Sequence, residues 1–164
     1  MRLEMDQHAY IRVRRGPHMG WLTRRFGSTP RVGLFVDGPN TLREEFDVDL
    51  DDLRAAAEEY GQLAVTRLYL DENAPAGLIQ AGEAHGFDVR VTSGDVDVKL
   101  AVDATAAVTD ASLDVLAVAT RDVDFKPLLE VARGAGIDTV AIAPGEHGRS
   151  EALVKAADEA VVLD

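Results

Sequence analysis

The chain contains no cysteine, which excludes disulfides, thiolate metal sites and cysteine nucleophiles. Lysine is scarce, with only Lys99, Lys126 and Lys155, and aromatic residues are few. No apolar run approaches the roughly 18 residues that a membrane helix needs. The N-terminus lacks the apolar segment of a signal peptide, so a cytoplasmic location with no membrane partner is expected. Neither a repeat of solenoid length nor a low-complexity tract interrupts the chain. The glycine-rich patterns G-x-G-x-x-G and G-x-x-x-x-G-K-[ST] are missing, so a dinucleotide or P-loop site is unsupported. No G-x-S-x-G nucleophile elbow appears, and the four histidines show no metal-ligand spacing.

What the chain has in excess is acid: 29 Asp plus Glu against 17 Lys plus Arg. The excess is uneven. Residues 1–31 hold seven arginines against Glu4 and Asp6, a balance of +5, whereas the remainder sets ten basic against 27 acidic residues, a balance of −17. An acid-rich, lysine-poor composition resembles that of proteins adapted to high intracellular salt, where net charge maintains solubility. Acidity ordinarily opposes a nucleic-acid partner, because phosphate binding rests on Lys and Arg. In molar salt the Debye length falls to about 3 Å, so close contacts decide and the objection weakens. The length suits a single domain with one real core. Residues 1–31, which include the pairs Arg14-Arg15 and Arg24-Arg25 and lack a sustained apolar period, read as a basic, flexible arm before a domain at 32–164.

From Val32 onward strand-like and helix-like segments alternate. Val32 to Val36 is a short apolar run closed by Asp37, Gly38, Pro39 and Asn40, the pattern of a buried central strand, and Gly38-Pro39 should turn the chain at once. Leu50, Leu53, Ala56 and Ala57 fall at helical spacing. Leu63–Leu70 reads as a second strand, followed by a helix from Pro75 to about His85, and Phe87–Val91 as a third strand. A strongly periodic helix is expected over Asp95–Thr109, then a fourth strand at Leu113–Ala119. A helix follows through Phe125, Leu128, Leu129 and Ala132. A fifth strand at Thr139–Ala143, a short helix at Ser150–Ala157 and a sixth strand at Ala160–Leu163 complete the series. Regular alternation with apolar strands means a parallel sheet covered by helices on both faces.

Three acidic groups follow apolar runs: Asp37, then Asp95 and Asp97, then Asp122 and Asp124. In a β-α sheet all of them face one rim, where open α/β sheets bind ligands. At about 100° per residue Asp97 shares a stripe with Leu100, Ala101, Ala104 and Val108, so it points inward. Asp103 lies about 120° from it, on the flank, and Lys99 points outward. Asp95 or Ser93 suits the N-cap. A single carboxylate after a strand is ordinarily a cap, but capping does not explain an inward Asp97 or two aspartates at Asp122 and Asp124. Crowded carboxylates repel one another unless a cation neutralises them. Oxygen ligands alone select Mg²⁺ or Mn²⁺, and such sites serve phosphate chemistry. Gly145 to Ser150 is a polar loop before a helix, open to a phosphate-binding or a plain connecting role.

The blocks VGLFVDGPN (32–40), VDVKLAVDA (96–104) and ATRDVDFKPLL (119–129), taken in order, resemble the signature of the NYN domain family. This is a branch of the PIN-like ribonuclease superfamily that includes LabA and DUF88 proteins. The resemblance covers Arg31 to Asp164. It implies a three-layer α/β/α sandwich, Rossmann-like, with a mainly parallel central sheet of order 3-2-1-4-5 counted from the Val32 strand. It also implies that the helix beginning near Asp97 crosses past that strand. By the same resemblance Asp37, Asp97, Asp122 and Asp124 hold Mg²⁺ or Mn²⁺, Asn40 orients the scissile phosphate or water, and Asp103 is a further ligand or orienter. The implied reaction is cleavage of single-stranded RNA by an activated water. Where the family commonly has Ser-Gly-Asp-Gly-Asp-Phe, this chain has Thr120-Arg121-Asp122-Val123-Asp124-Phe125. The hydroxyl and both carboxylates persist, while Arg121 and Val123 replace glycines; a side chain at either position narrows access or, at Arg121, adds a phosphate contact.

The expected function is therefore a metal-dependent ribonuclease, with Asp37, Asn40, Asp97, Asp103 and Asp122 in catalytic roles. The alternative is a non-catalytic RNA-binding or regulatory domain with the same rim. A small-molecule phosphatase ranks last, because no D-x-D pair follows the first strand. A homodimer is one assembly the sequence allows.

Overall fold

The computed structural model describes residues 10–14, 29–42, 48–110, 112–145 and 150–163. Its strands are β1 (Tyr10–Arg14), β2 (Arg31–Asp37), β3 (Gln62–Asp71), β4 (Asp88–Thr92), β5 (Val115–Ala119), β6 (Asp138–Ala143) and β7 (Glu159–Leu163). Its helices are α1 (Gly38–Thr41), α2 (Leu50–Glu58), α3 (Ala76–Ala84), α4 (Val96–Thr109), α5 (Lys126–Gly134) and α6 (Glu151–Ala156), with a 3-10 turn at Val123–Phe125 leading into α5. The seven strands form one sheet in the order β1-β7-β6-β5-β2-β3-β4. Strands β2 to β7 are all parallel, and counted from β2 their order is 3-2-1-4-5-6. The three-layer, mainly parallel architecture expected from the sequence is the one observed.

Two departures stand out. Within the stretch expected to be a flexible arm, Tyr10–Arg14 forms β1 and pairs antiparallel with β7, Tyr10 opposite Leu163 and Arg14 opposite Glu159. The segment YIRVR alternates apolar and polar residues with period two, a signal that a search for longer apolar periods passes over. The remainder of residues 1–28 lies outside the described residues, including Arg15, Arg24 and Arg25. The second departure follows β2. Gly38-Pro39 does not simply turn the chain but opens a four-residue helix, with proline in its first turn where the missing N–H has no consequence.

Burial along β2 alternates between two cores. Val32, Leu34 and Val36 face Leu50, Leu53, Ala56 and Ala57 of α2, while Phe35 faces Leu100, Ala104 and Val108 of α4 and Leu129 of α5. Each strand thus serves both faces, which is why its sequence reads as nearly continuous apolar residues. Helix α2 begins at Asp49, whose carboxylate accepts the Asp52 N–H at 2.8 Å, satisfying one of the donors that a helix start leaves open.

The topology positions the rim. The chain runs from β2 outward to β3 and β4, then returns to lay β5 on the other side of β2. The reversal makes the β2/β5 boundary a switch point, where neighbouring loops diverge and leave a crevice. The returning element is α4, which packs on β2 and β3 and carries its first turn to the same crevice.

Candidate metal centre

The site starts from the carboxyl end of β2. Asp37 is 1% exposed, and its Oδ2 accepts hydrogen bonds from Asn40 Nδ2 and Thr120 Oγ1, both at 2.9 Å. Burial pushes its carboxyl pKa above the ordinary value; the bonds from Asn40 and Thr120 oppose that rise, and the charge of Asp122 adds to it. Gly38 is required here by close approach. A Cβ at that position would lie 2.5 Å from the Tyr69 carbonyl oxygen, so α1 can dock on β3 only without a side chain. The Thr41 hydroxyl donates to the Ala119 carbonyl at 3.0 Å and pins α1 to the end of β5.

Thr120 is the hinge of the arrangement. While its hydroxyl donates to Asp37, it accepts the backbone N–H of Asp122 at 3.0 Å. Asp122 Oδ1 in turn accepts the Asp124 N–H at 2.9 Å, closing the 3-10 turn that presents both carboxylates. Asn40 accepts at its Oδ1 from Arg121 Nε at 3.3 Å. A continuous chain of contacts therefore runs from Arg121 through Asn40 and Asp37 to Thr120 and the Asp122 backbone.

Onto this platform α4 lowers Asp97. Its helix buries Val96, Leu100, Ala104 and Val108, so the first turn is fixed by packing, each buried Val or Leu contributing about 1.5–3 kcal/mol. Asp97, half-buried, comes together with Asp122 and Asp124: one carboxylate oxygen of each lies within 4.8 Å of the others. Among the described residues none of the three has a Lys, Arg or His within ion-pairing distance. Two oxygens on opposite sides of an ion bound at 2.0–2.6 Å stand about 4–5 Å apart. The group therefore fits a hard divalent cation, and all-oxygen donors favour Mg²⁺ or Mn²⁺ over zinc.

The other expected residues divide around this group. Asp37 is not one of the three; it is linked through the Thr120 hydroxyl to the backbone of Asp122. Asp103, one and a half turns along α4, accepts from the Tyr69 hydroxyl and the Lys99 ammonium, both at 2.9 Å. Burial works against its charged form, yet Lys99 and Tyr69 prevail and hold its carboxyl below the ordinary value. Asp95 occupies the N-cap position of α4 without a side-chain cap bond. Glu146 to Arg149 of the polar loop lie outside the described residues. Thr120 and Tyr69 are organising residues that the search for carboxylates did not assign; the hydroxyl directly after the apolar run of β5 is the signal that marks Thr120.

Residues 31–164 match the family model described as the NYN domain. An uncharacterized protein of Methanocaldococcus jannaschii is 41% identical over 133 residues, covering 81% of this chain and 55% of the relative. The chain thus spans about half the length of that relative. A crystal structure of a protein of unknown function from Vibrio parahaemolyticus superimposes with a TM-score of 0.70 over 83% of this chain and 94% of that one. At 19% identity that likeness concerns the fold alone.

Proposed function

Taking as premise that this chain belongs to the NYN domain family, whose model matches residues 31–164, we propose that it is a metal-dependent ribonuclease acting on single-stranded RNA. NYN domains are PIN-like and act on nucleic acids, which makes a nuclease the general expectation. The observation that carries the specific reading is the convergence of Asp97 with Asp122 and Asp124, from segments a quarter-hundred residues apart, within 4.8 Å at the sheet's switch point. Asp103 is neutralised by Lys99. These three are not.

In this reading Asp97, Asp122 and Asp124 hold Mg²⁺ or Mn²⁺. When bound, such an ion polarises a phosphoryl oxygen and lowers the pKa of a water. The chain's own contribution is placement. Asp37, through Thr120, fixes the backbone of Asp122. Asn40 stands with its amide oriented by Asp37 on one side and Arg121 on the other, next to where a scissile phosphate would lie. Asp103 ties α4 to β3 through Tyr69, is neutralised by Lys99 of its own helix, and stays out of the ion's contacts.

The test is a cleavage assay on labelled single-stranded RNA, titrated with Mg²⁺ and Mn²⁺ across a range of salt, with chelator as control. Cleavage that requires the divalent ion and disappears in Asp122→Asn, with folding intact by circular dichroism, is the expected result. Cleavage by Asp122→Asn and Asp97→Asn at the wild-type rate would reject the site. RNA retained by the wild type in every ion without any product would favour the binding-domain alternative.

A further inference from the structure

We infer that the groove between α5 and α6 is the track along which the phosphates of a single-stranded RNA leave the aspartate cluster; this deepens the ribonuclease reading and rests on it. The groove encloses about 440 Å³ and is lined by Lys126, Glu130, Arg133, Ala152, Lys155 and Ala156. Residues 32–164 contain only ten basic residues against 27 acidic ones, yet three of the ten line this one depression. Two of the three lysines in the whole chain are among them.

The three cations are not equivalent. Arg133 is built into the scaffold: its Nη1 donates to the Ala156 carbonyl at 3.2 Å and its Nε lies 3.3 Å from Asp158 Oδ1. It ties α5 to α6 and holds the groove's floor. Lys126 reaches Glu130 at 3.7 Å, with both side chains at least half exposed. Such a pair is weak and readily exchanged for another anion. Lys155 is exposed and has no ion-pair partner among the described residues. Two lysine ammoniums are therefore available to a ligand on a domain whose net charge is strongly negative.

Their location selects the ligand. Lys126 follows Asp124 by two residues, and the 3-10 turn that presents Asp122 and Asp124 packs against α4, α5 and α6. One lining residue of the groove, Lys126, thus stands two positions along the chain from the carboxylate cluster. A strand with one phosphate at the cluster has its neighbouring phosphates within this channel's course, and each Lys contact releases condensed counterions regardless of base identity. Close contacts of this kind are what an acidic protein needs, since its long-range field opposes the approach of RNA.

The experiment uses the full chain carrying Asp122→Asn, which leaves RNA uncut, with and without Lys126→Gln and Lys155→Gln together. Binding of a labelled single-stranded RNA of mixed sequence is followed by anisotropy across a salt series. Removing the two lysines is expected to weaken binding about tenfold at low salt, and to flatten the slope of log K against log salt by about 1.4. The melting temperature should not move, because both side chains are exposed. In the otherwise wild-type enzyme the same pair should raise KM and leave kcat within about twofold. Unchanged affinity and slope, or tighter binding of polyglutamate than of RNA, overturns the track. Ion-dependent cleavage by the wild type alongside that result leaves the nuclease reading standing. Lysine-dependent RNA binding without cleavage by the wild type does the reverse.

Discussion

Helix α4 carries two aspartates on neighbouring faces, and their surroundings differ in kind. Asp103 is clasped by the Tyr69 hydroxyl and the Lys99 ammonium, and close by Asp88 is bracketed by Arg67 and Arg90. Both of these negative charges have a basic partner. Six residues before Asp103, Asp97 meets two further carboxylates and no cation among the described residues. Asp103 is met by a base, whereas Asp97, Asp122 and Asp124 stand together without one and are placed to receive a cation. The comparison separates side chains that serve the fold from side chains that the fold must tolerate.

The largest effect expected on breaking this contrast is at the cluster. Asp97→Asn and Asp122→Asn should each lower ion-dependent RNA cleavage by about 10³-fold, equivalent to about 4 kcal/mol, while the thermal midpoint without divalent ion holds or rises. Isothermal titration with Mn²⁺ should show the lost site directly. Next comes the packing that delivers Asp97. Leu100→Ala should destabilise the domain by about 2–5 kcal/mol by denaturant titration, with cleavage per folded molecule falling as well, because the first turn of α4 loses its anchor.

The flank should respond the opposite way to the cluster. Asp103→Asn should cost about 1–2 kcal/mol of stability at neutral pH and change cleavage only a few-fold. Its carboxyl is held below the ordinary value in the folded state. Its stabilisation is therefore present above the unfolded pKa, near 3.8, and fades as the pH falls through the lower folded value. Melting curves of wild type and variant should converge in acid. Asp37 carries the reverse sign. With its folded pKa raised by burial, its ionised form is penalised at neutral pH and the penalty vanishes in acid. In chelator Asp37→Asn should thus melt higher than wild type near pH 7 and equally near pH 3, even as the misplaced Asp122 turn lowers cleavage. The smallest effect is expected at Arg121→Gln, which loosens one 3.3 Å bond to Asn40; a change of about 3–10-fold in cleavage rate, with unchanged melting, would match the worth of one such contact.

Much of the frame was legible in the residues. The strands β2 and β5 read as apolar runs ending in Asp37 and Thr120, and α4 declared its buried stripe through Leu100, Ala104 and Val108. The inward aim of Asp97 followed from the same wheel. What did not follow was which neighbours each aspartate meets. Asp37 and Asp103 carry the same chemical group as Asp122, and no local pattern tells that the Thr120 hydroxyl will bond to one or the Tyr69 hydroxyl to the other. Strand β1 was missed for a related reason, since five alternating residues acquire their partner only when β7 offers an open edge.

The order of apolar and polar residues alone determined the β-α alternation, the two-faced burial of the strands and the rim on which the acids stand, because those features depend on periods of two and 3.6 residues that any short window displays. Only the folded chain decided which three oxygens meet within 4.8 Å and which acids are spent on hydrogen bonds. Distances between segments far apart in sequence are set by how helices and strands pack, and packing belongs to the whole core rather than to any window of it.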